Sequence, residues 1–216
     1  MQRTSGLPMR ALIVVLGLLL GMGTPAQAQI ASEQVFDLQW VDLYAELLPE
    51  RNEAQVIAHL YLDSNGVDPV VFRLEGNFLT WKISSYNNQQ PNLAFRRDGF
   101  LFWLYNLASG PAEVVFEYQV RRQGWETPDG AVIATNKLEL GPGAFWYPRN
   151  VASDSHQAIL NLVTPPDYAV NAPASLTRDL PHNFKRLRTY ILRTPTQAGL
   201  TLSSSASRAA AWGKVP

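Results

Sequence analysis

Apolar and polar residues alternate with a period of two along much of this chain. In residues 113–121, Val114, Phe116, Tyr118 and Val120 fall on one side. Glu113, Glu117, Gln119 and Arg121 fall on the other, together with Val115. Residues 55–62 repeat the pattern, with Val56, Ala58, Leu60 and Leu62 on one face. Val70, Phe72 and Leu74 alternate with Val71, Arg73 and Glu75, and Leu79, Trp81 and Ile83 follow. This period is that of a half-buried strand. Residues 99–105 are apolar on both sides, which predicts a central strand covered on both faces. Residues 34–50 are ambiguous. Phe36, Leu38, Trp40 and Leu43 fit a helical spacing, whereas Tyr44 to Leu48, running into Pro49-Glu50, fits a first strand and turn better.

Turn residues punctuate these runs: Ser64-Asn65-Gly66, residues 87–91, Asp98-Gly99, Ser109-Gly110-Pro111, Pro128-Asp129-Gly130 and Gly141-Pro142-Gly143. There is no sustained helical period, internal repeat or linker. The fold class predicted is all-β, a two-sheet antiparallel β-sandwich forming a single domain. Residues 138–149, LELGPGAFWYPR, stand out in composition. They set a strand-like segment against a tight turn, and Trp146, Tyr147 and Pro148 then read as a structural corner. Beyond residue 200 the chain becomes Ser- and Ala-rich, and Trp212 near its end is expected to pack on something.

The front end reads as a targeting segment. Arg3 and Arg10 precede an apolar run over residues 11–22, and Ala26-Gln27-Ala28 supplies a small-x-small site. These are the three parts of a secretory signal peptide, residues 1–28, with cleavage after Ala28. The domain would then be residues 29–216, secreted or periplasmic. An uncleaved N-terminal anchor is the alternative, although the run is shorter than the roughly 20 residues a span needs. No later segment is apolar enough to span a bilayer, so no stable membrane span is expected after cleavage. Without Arg3 and Arg10 the acidic residues slightly outnumber the basic ones, which gives no electrostatic case for nucleic acid. The chain has no Cys, so disulfides, a Cys nucleophile and thiolate metal sites are excluded.

Several short segments occur in a recognisable order: Leu47-Leu48-Pro49-Glu50, then Leu62-Asp63-Ser64-Asn65, then Asp68-Pro69-Val70-Val71-Phe72-Arg73-Leu74. Ser109-Gly110-Pro111 with Val114 to Tyr118, Trp146-Tyr147-Pro148, Thr164-Pro165-Pro166-Asp167-Tyr168, Thr189-Tyr190 and Thr194-Pro195 follow. This order, over about residues 35–200, resembles the N-terminal β-domain of the zinc aminopeptidases related to aminopeptidase N, and Trp-Tyr-Pro after a Gly-rich turn is its most specific part. The resemblance implies a saddle-like sandwich that packs on a peptidase catalytic domain. In that family the chemistry lies in a downstream helical domain, where H-E-x-x-H binds zinc and G-x-M-E-N binds the substrate amine. Neither motif occurs here. No catalytic, cofactor-binding or metal residue is assigned, and no cofactor is expected.

Other candidates are weak. His59, His156 and His182 lie far apart without ligand spacing and read as surface or edge histidines. Asp154 and His156 face the same way on an extended backbone, as half of an acid–base pair would, but a polar loop explains them as well. Ser203-Ser204-Ser205 lacks a nucleophile elbow. Lys185, Arg186, Arg188 and Arg193 read as a solvated strand edge. With six Trp and eight Tyr, an exposed stacking platform is open to the chain, and Trp40, Trp103 and Trp125 are its candidates. The expected function is that of an exported, non-catalytic scaffold or binding module, whose partner is a peptidase catalytic domain or another protein. Two alternatives stand beside it: a truncated or split part of a zinc aminopeptidase with its catalytic domain elsewhere, and a carbohydrate-binding module with a glycan ligand.

Overall fold

The alternating segments form strands. The computed structural model describes residues 36–85, 93–123, 131–151, 155–196 and 199–204, all within the unit Gln34–Pro216. The expected leader, the turns at 87–91 and 128–130, Trp125, Asp154, Ser205 and Trp212 lie outside the described residues. The ambiguous opening segment is a single long strand, β1 (Asp37–Leu48), and a short 3-10 turn at Pro49–Arg51 leads into β2 (Glu53–Asp63). The following strands are β3 (Val70–Arg73), β4 (Asn77–Ser85), β5 (Ala94–Asp98), β6 (Leu101–Tyr105) and β7 (Pro111–Arg121). Short β8 (Val132–Ala134), β9 (Lys137–Leu140) and β10 (Arg149–Asn150) precede β11 (His156–Thr164). The last strands among the described residues are β12 (Ser175–His182), β13 (Lys185–Thr196) and β14 (Leu202–Ser203). No α-helix is present among the described residues.

One layer is a seven-stranded sheet in the order β12-β13-β11-β1-β2-β7-β4. The opposing side is divided between a four-stranded sheet, β10-β3-β6-β5, and a three-stranded one, β14-β9-β8. All three feed one buried cluster, which includes Leu43, Phe72, Phe102, Phe116, Ile133 and Leu140. The result is an all-β sandwich, as expected, with one departure from antiparallel pairing. β1 and β11 run parallel, with Trp40 beside Gln157 and Glu46 beside Val163. A parallel neighbour cannot be reached by a tight turn. Here the crossover is the whole run β2–β10.

Phe36, Phe72, Phe102 and Phe116 are fully buried, and their rings meet at tilted or edge-on angles, with Phe72 and Phe116 at 5.3 Å and Phe102 and Phe116 at 5.7 Å. Burying each such ring contributes about 2–3 kcal/mol. The alternation in β2 and β7 follows the burial, with Val115 also buried. In β4 it does not. A bulge between Phe78 and Thr80 shifts the phase, so Phe78, Trp81 and Ile83 pack on the core while Leu79 is exposed. One extra residue turns every later side chain over. The doubly apolar segment also differs from expectation. β6 is internal to its sheet, but only Phe102 and Leu104 are fully buried; Leu101, Trp103 and Tyr105 are half-covered. The basic run falls on β13, which lies between β11 and β12 and is not an edge. Three of its four charges are paired across strands, Lys185 with Glu46 and Arg186 and Arg188 with Asp179, while Arg193 is exposed.

Between β3 and β4 the chain crosses from one sheet to the other through Gly76, at φ +138°. A Cβ there would lie 2.2 Å from Val120 Cγ2 and 3.1 Å from Arg122 Nε. Gly76→Ala combines a disfavoured dihedral with a clash against the buried Val120 side chain and is expected to destabilise the fold by about 3 kcal/mol. Urea unfolding of the variant measures this; an unchanged midpoint would show that the crossing tolerates a side chain.

Candidate functional site

Two places combine unusual side chains: the corner after β9, and the outer face of the seven-stranded sheet. At the corner, Ala144 N–H closes the turn on Gly141 O at 3.0 Å. Phe145 follows in the left-handed region, at φ +38°, where a bulky side chain is strained. Its ring lies near two guanidiniums, Arg73 and Arg149, each 4.2 Å from the centroid. Its carbonyl accepts the Glu75 N–H at 3.0 Å. Trp146 and Tyr147 are almost fully buried. Trp146 Nε1 donates to Leu200 O at 2.7 Å, and Trp146 O accepts the Tyr118 hydroxyl at 2.7 Å. The Tyr147 hydroxyl accepts Leu200 N–H at 2.9 Å and meets His156 Nε2 at 2.7 Å. Arg149 Nη2 donates to Pro142 O at 2.6 Å. Buried Arg122 donates to Ala144 O at 3.0 Å and also to Glu75 O.

Burial governs the titration of these groups. Desolvation pushes the Tyr147 hydroxyl up to about 12, and pushes Tyr118 up as well. It also lowers Arg149. Desolvation first, and the nearby Arg149 charge second, bring His156 down to about 4. His156 is therefore a neutral, buried histidine and not the surface or edge residue expected. Its direction follows from the alternation of β11, where Ala158, Leu160 and Leu162 share its inward face. The expected structural corner at Trp146, Tyr147 and Pro148 is where the polar bonds of several segments converge, and all three residues are buried.

The two stacking candidates among the described residues, Trp40 and Trp103, are not brought together. Trp103 sits half-covered on β6 of the four-stranded sheet, with Arg96 5.1 Å from its ring centroid. Trp40 lies on the outer face of β1, where a bulge between Leu38 and Trp40 sets its direction. Across from it on β2 is Tyr61, then Asp42 faces His59 and Tyr44 faces Ile57. Tyr44, Ile57 and Tyr61 are 37%, 39% and 38% exposed. The sequence carried a signal for them in the second register of β1 and β2, the residues between the core positions. Beside Tyr44 and Ile57 runs an open groove of about 420 Å³, bordered by Gln55, Thr80, Lys82 and Gln119. Two contacts between side chains lie on this face: His59 Nδ1 is 2.8 Å from Glu113 Oε1, and Lys82 pairs with Glu117 at 3.0 Å. His182 is exposed on β12, away from both other histidines in the sheet order. Among the described residues, no group of three or more His, Asp or Glu could hold a metal ion.

No family model matches the sequence, and no curated protein does. The fold does match solved structures. It superposes on part of the M1 zinc metallopeptidase of Deinococcus radiodurans with a TM-score of 0.62 and 15% identity, covering 81% of this chain and 43% of that one. Yeast LTA4 hydrolase matches with a TM-score of 0.55 and 11% identity, over 78% of this chain and 28% of its own. The expected likeness to aminopeptidase N-like enzymes is thus present at the level of the fold. The chain spans less than half the length of these solved proteins, as one β-domain of them would.

The corner makes stability depend on pH. An unfolded histidine titrates near 6.5, and folded His156 near 4. Between these values the unfolded chain binds the proton and the folded one does not, so stability falls as pH drops through that window. The loss is expected to reach about 3 kcal/mol by pH 4. Glu53 and Asp179, lowered chiefly by their arginine hydrogen bonds, add losses only at lower pH. Urea unfolding between pH 7 and 5 should show the decline in the wild type and a flatter profile in His156→Gln. Equal slopes would contradict the assignment.

Proposed function

We propose that this chain is a non-catalytic β-sandwich domain that serves as a scaffold for another protein, of which a zinc aminopeptidase catalytic domain is the first candidate. One observation carries this reading: the fold matches M1 metallopeptidases over most of this chain but over less than half of theirs. More than half of each peptidase chain has no counterpart here. The polar corner supports a scaffold role, because its hydrogen bonds are spent on the protein's own backbone. A domain of this kind contributes a rigid surface, and the zinc chemistry belongs to its partner. Whether that partner is the rest of the same polypeptide or a separate chain makes no difference to what these residues do. Export through residues 1–28 is part of the proposal.

The purified chain is expected to release no p-nitroaniline from L-amino-acid p-nitroanilides above the buffer rate, with or without added zinc. Chelator-sensitive release would overturn the reading. Protein recovered from an exporting host should have an intact mass beginning at Gln29; a retained leader would refute cleavage after Ala28.

A further inference from the structure

The outer face of β1 and β2 has an organisation that scaffolding does not require. Three rungs lie side by side: Trp40 with Tyr61, Asp42 with His59, and Tyr44 with Ile57. The outer rungs are aromatic or apolar and partly exposed; the middle rung is polar. Same-face residues four apart on a strand are separated by about 13 Å. The face therefore offers two ring-bearing patches at that spacing, with hydrogen-bonding groups between them and amide side chains at Gln55 and Gln119 along the adjoining groove.

We propose that this face is a carbohydrate-binding surface that takes a neutral, linear glycan laid along β1 and β2. A pyranose ring has an apolar C–H face, which stacks on aromatic side chains, and a rim of hydroxyls, which exchange hydrogen bonds with carboxylate, imidazole and amide groups. The alternation of the rungs matches that chemistry. A neutral ligand fits because the two lysines that reach the outer face of β1 and β2 are engaged, Lys82 with Glu117 and Lys185 with Glu46, so a polyanion lying along these two strands would meet no basic stripe. An extended peptide is a poorer fit. Such a ligand pairs with a free strand edge, and both strands are paired on each side: β1 with β11 and β2, β2 with β1 and β7. The ligand must be held by side chains on the face. The proposal does not rest on the scaffold reading, and either can fail without the other.

The test is affinity electrophoresis of the purified chain through gels containing soluble neutral polysaccharides (β-glucan, xylan, galactomannan), with heparin as the charged control. At least one neutral polymer should retard the protein, and heparin should not. Trp40→Ala and Tyr44→Ala should each weaken retardation about tenfold without lowering the melting temperature. Phe184→Ala, at a 98% exposed turn residue off this face, should leave it unchanged. The proposal is overturned if no neutral polymer binds or if binding survives both substitutions. It is also overturned if the substitutions act by dissolving a dimer in sedimentation, which would make the face a contact between copies.

Discussion

Backbone groups that leave the solvent must find hydrogen-bond partners, and the corner at residues 141–150 is where this constraint is most severe. Between β9 and β10 the chain is neither helix nor ladder, yet Ala144, Trp146, Tyr147 and Pro148 are buried. Its carbonyls are met from three directions. Tyr118 and Arg122 reach in from β7 and just beyond it, Glu75 N–H from the sheet crossing, and Arg149 from the corner itself. Trp146 and Tyr147 in turn bind both backbone groups of Leu200, just ahead of β14. Leaving one such buried group unpaired costs about 1–3 kcal/mol. The corner therefore ties the seven-, four- and three-stranded sheets through bonds that direction as well as burial must satisfy.

That role explains the local oddities. Phe145 is strained at φ +38° while its carbonyl is held by Glu75 and its ring lies by two guanidiniums. Gly199 passes so close to the corner that a Cβ would lie 2.4 Å from the Tyr147 hydroxyl. His156 is kept neutral by the same lack of solvent. A cluster of buried Arg, Tyr and His suggests catalysis from composition alone. Here these side chains are committed largely to main-chain partners. The surface left for recognition is the outer face of the seven-stranded sheet, where the period of two brings Trp40, Tyr44 and Tyr61 into reach of solvent.

Much of the fold was legible because burial on one side writes itself into alternation. β2 and β7 are plain in Val56 to Leu62 and Val114 to Val120, and Trp146-Tyr147-Pro148 was legible as a corner because a Gly-rich turn precedes three residues that want burial. Less was legible where one residue or one distant partner decides. The bulge at Leu79 exposes a residue that alternation buries. The parallel partner of β1 is far along the chain, and sequence spacing carries no register for it. Arg122 and His156 are polar residues whose burial depends on carbonyls and hydroxyls from other segments, so composition placed His156 at the surface. Of the two stacking candidates among the described residues, Trp40 alone joins other aromatics on an exposed face. Trp103 is on another sheet, and the residues that accompany Trp40 are those the alternation marks as merely outward.

Native-state hydrogen exchange distinguishes a corner that is a keystone of the fold from a pliable binding loop. The amides of Glu75 and Leu200, which donate to Phe145 O and the Tyr147 hydroxyl, are the probes. They should exchange only through global unfolding, with the same free energy as amides in β2. Exchange of either at a much lower free energy, with β2 still protected, would mean that the corner opens by itself and does not hold the sheets together.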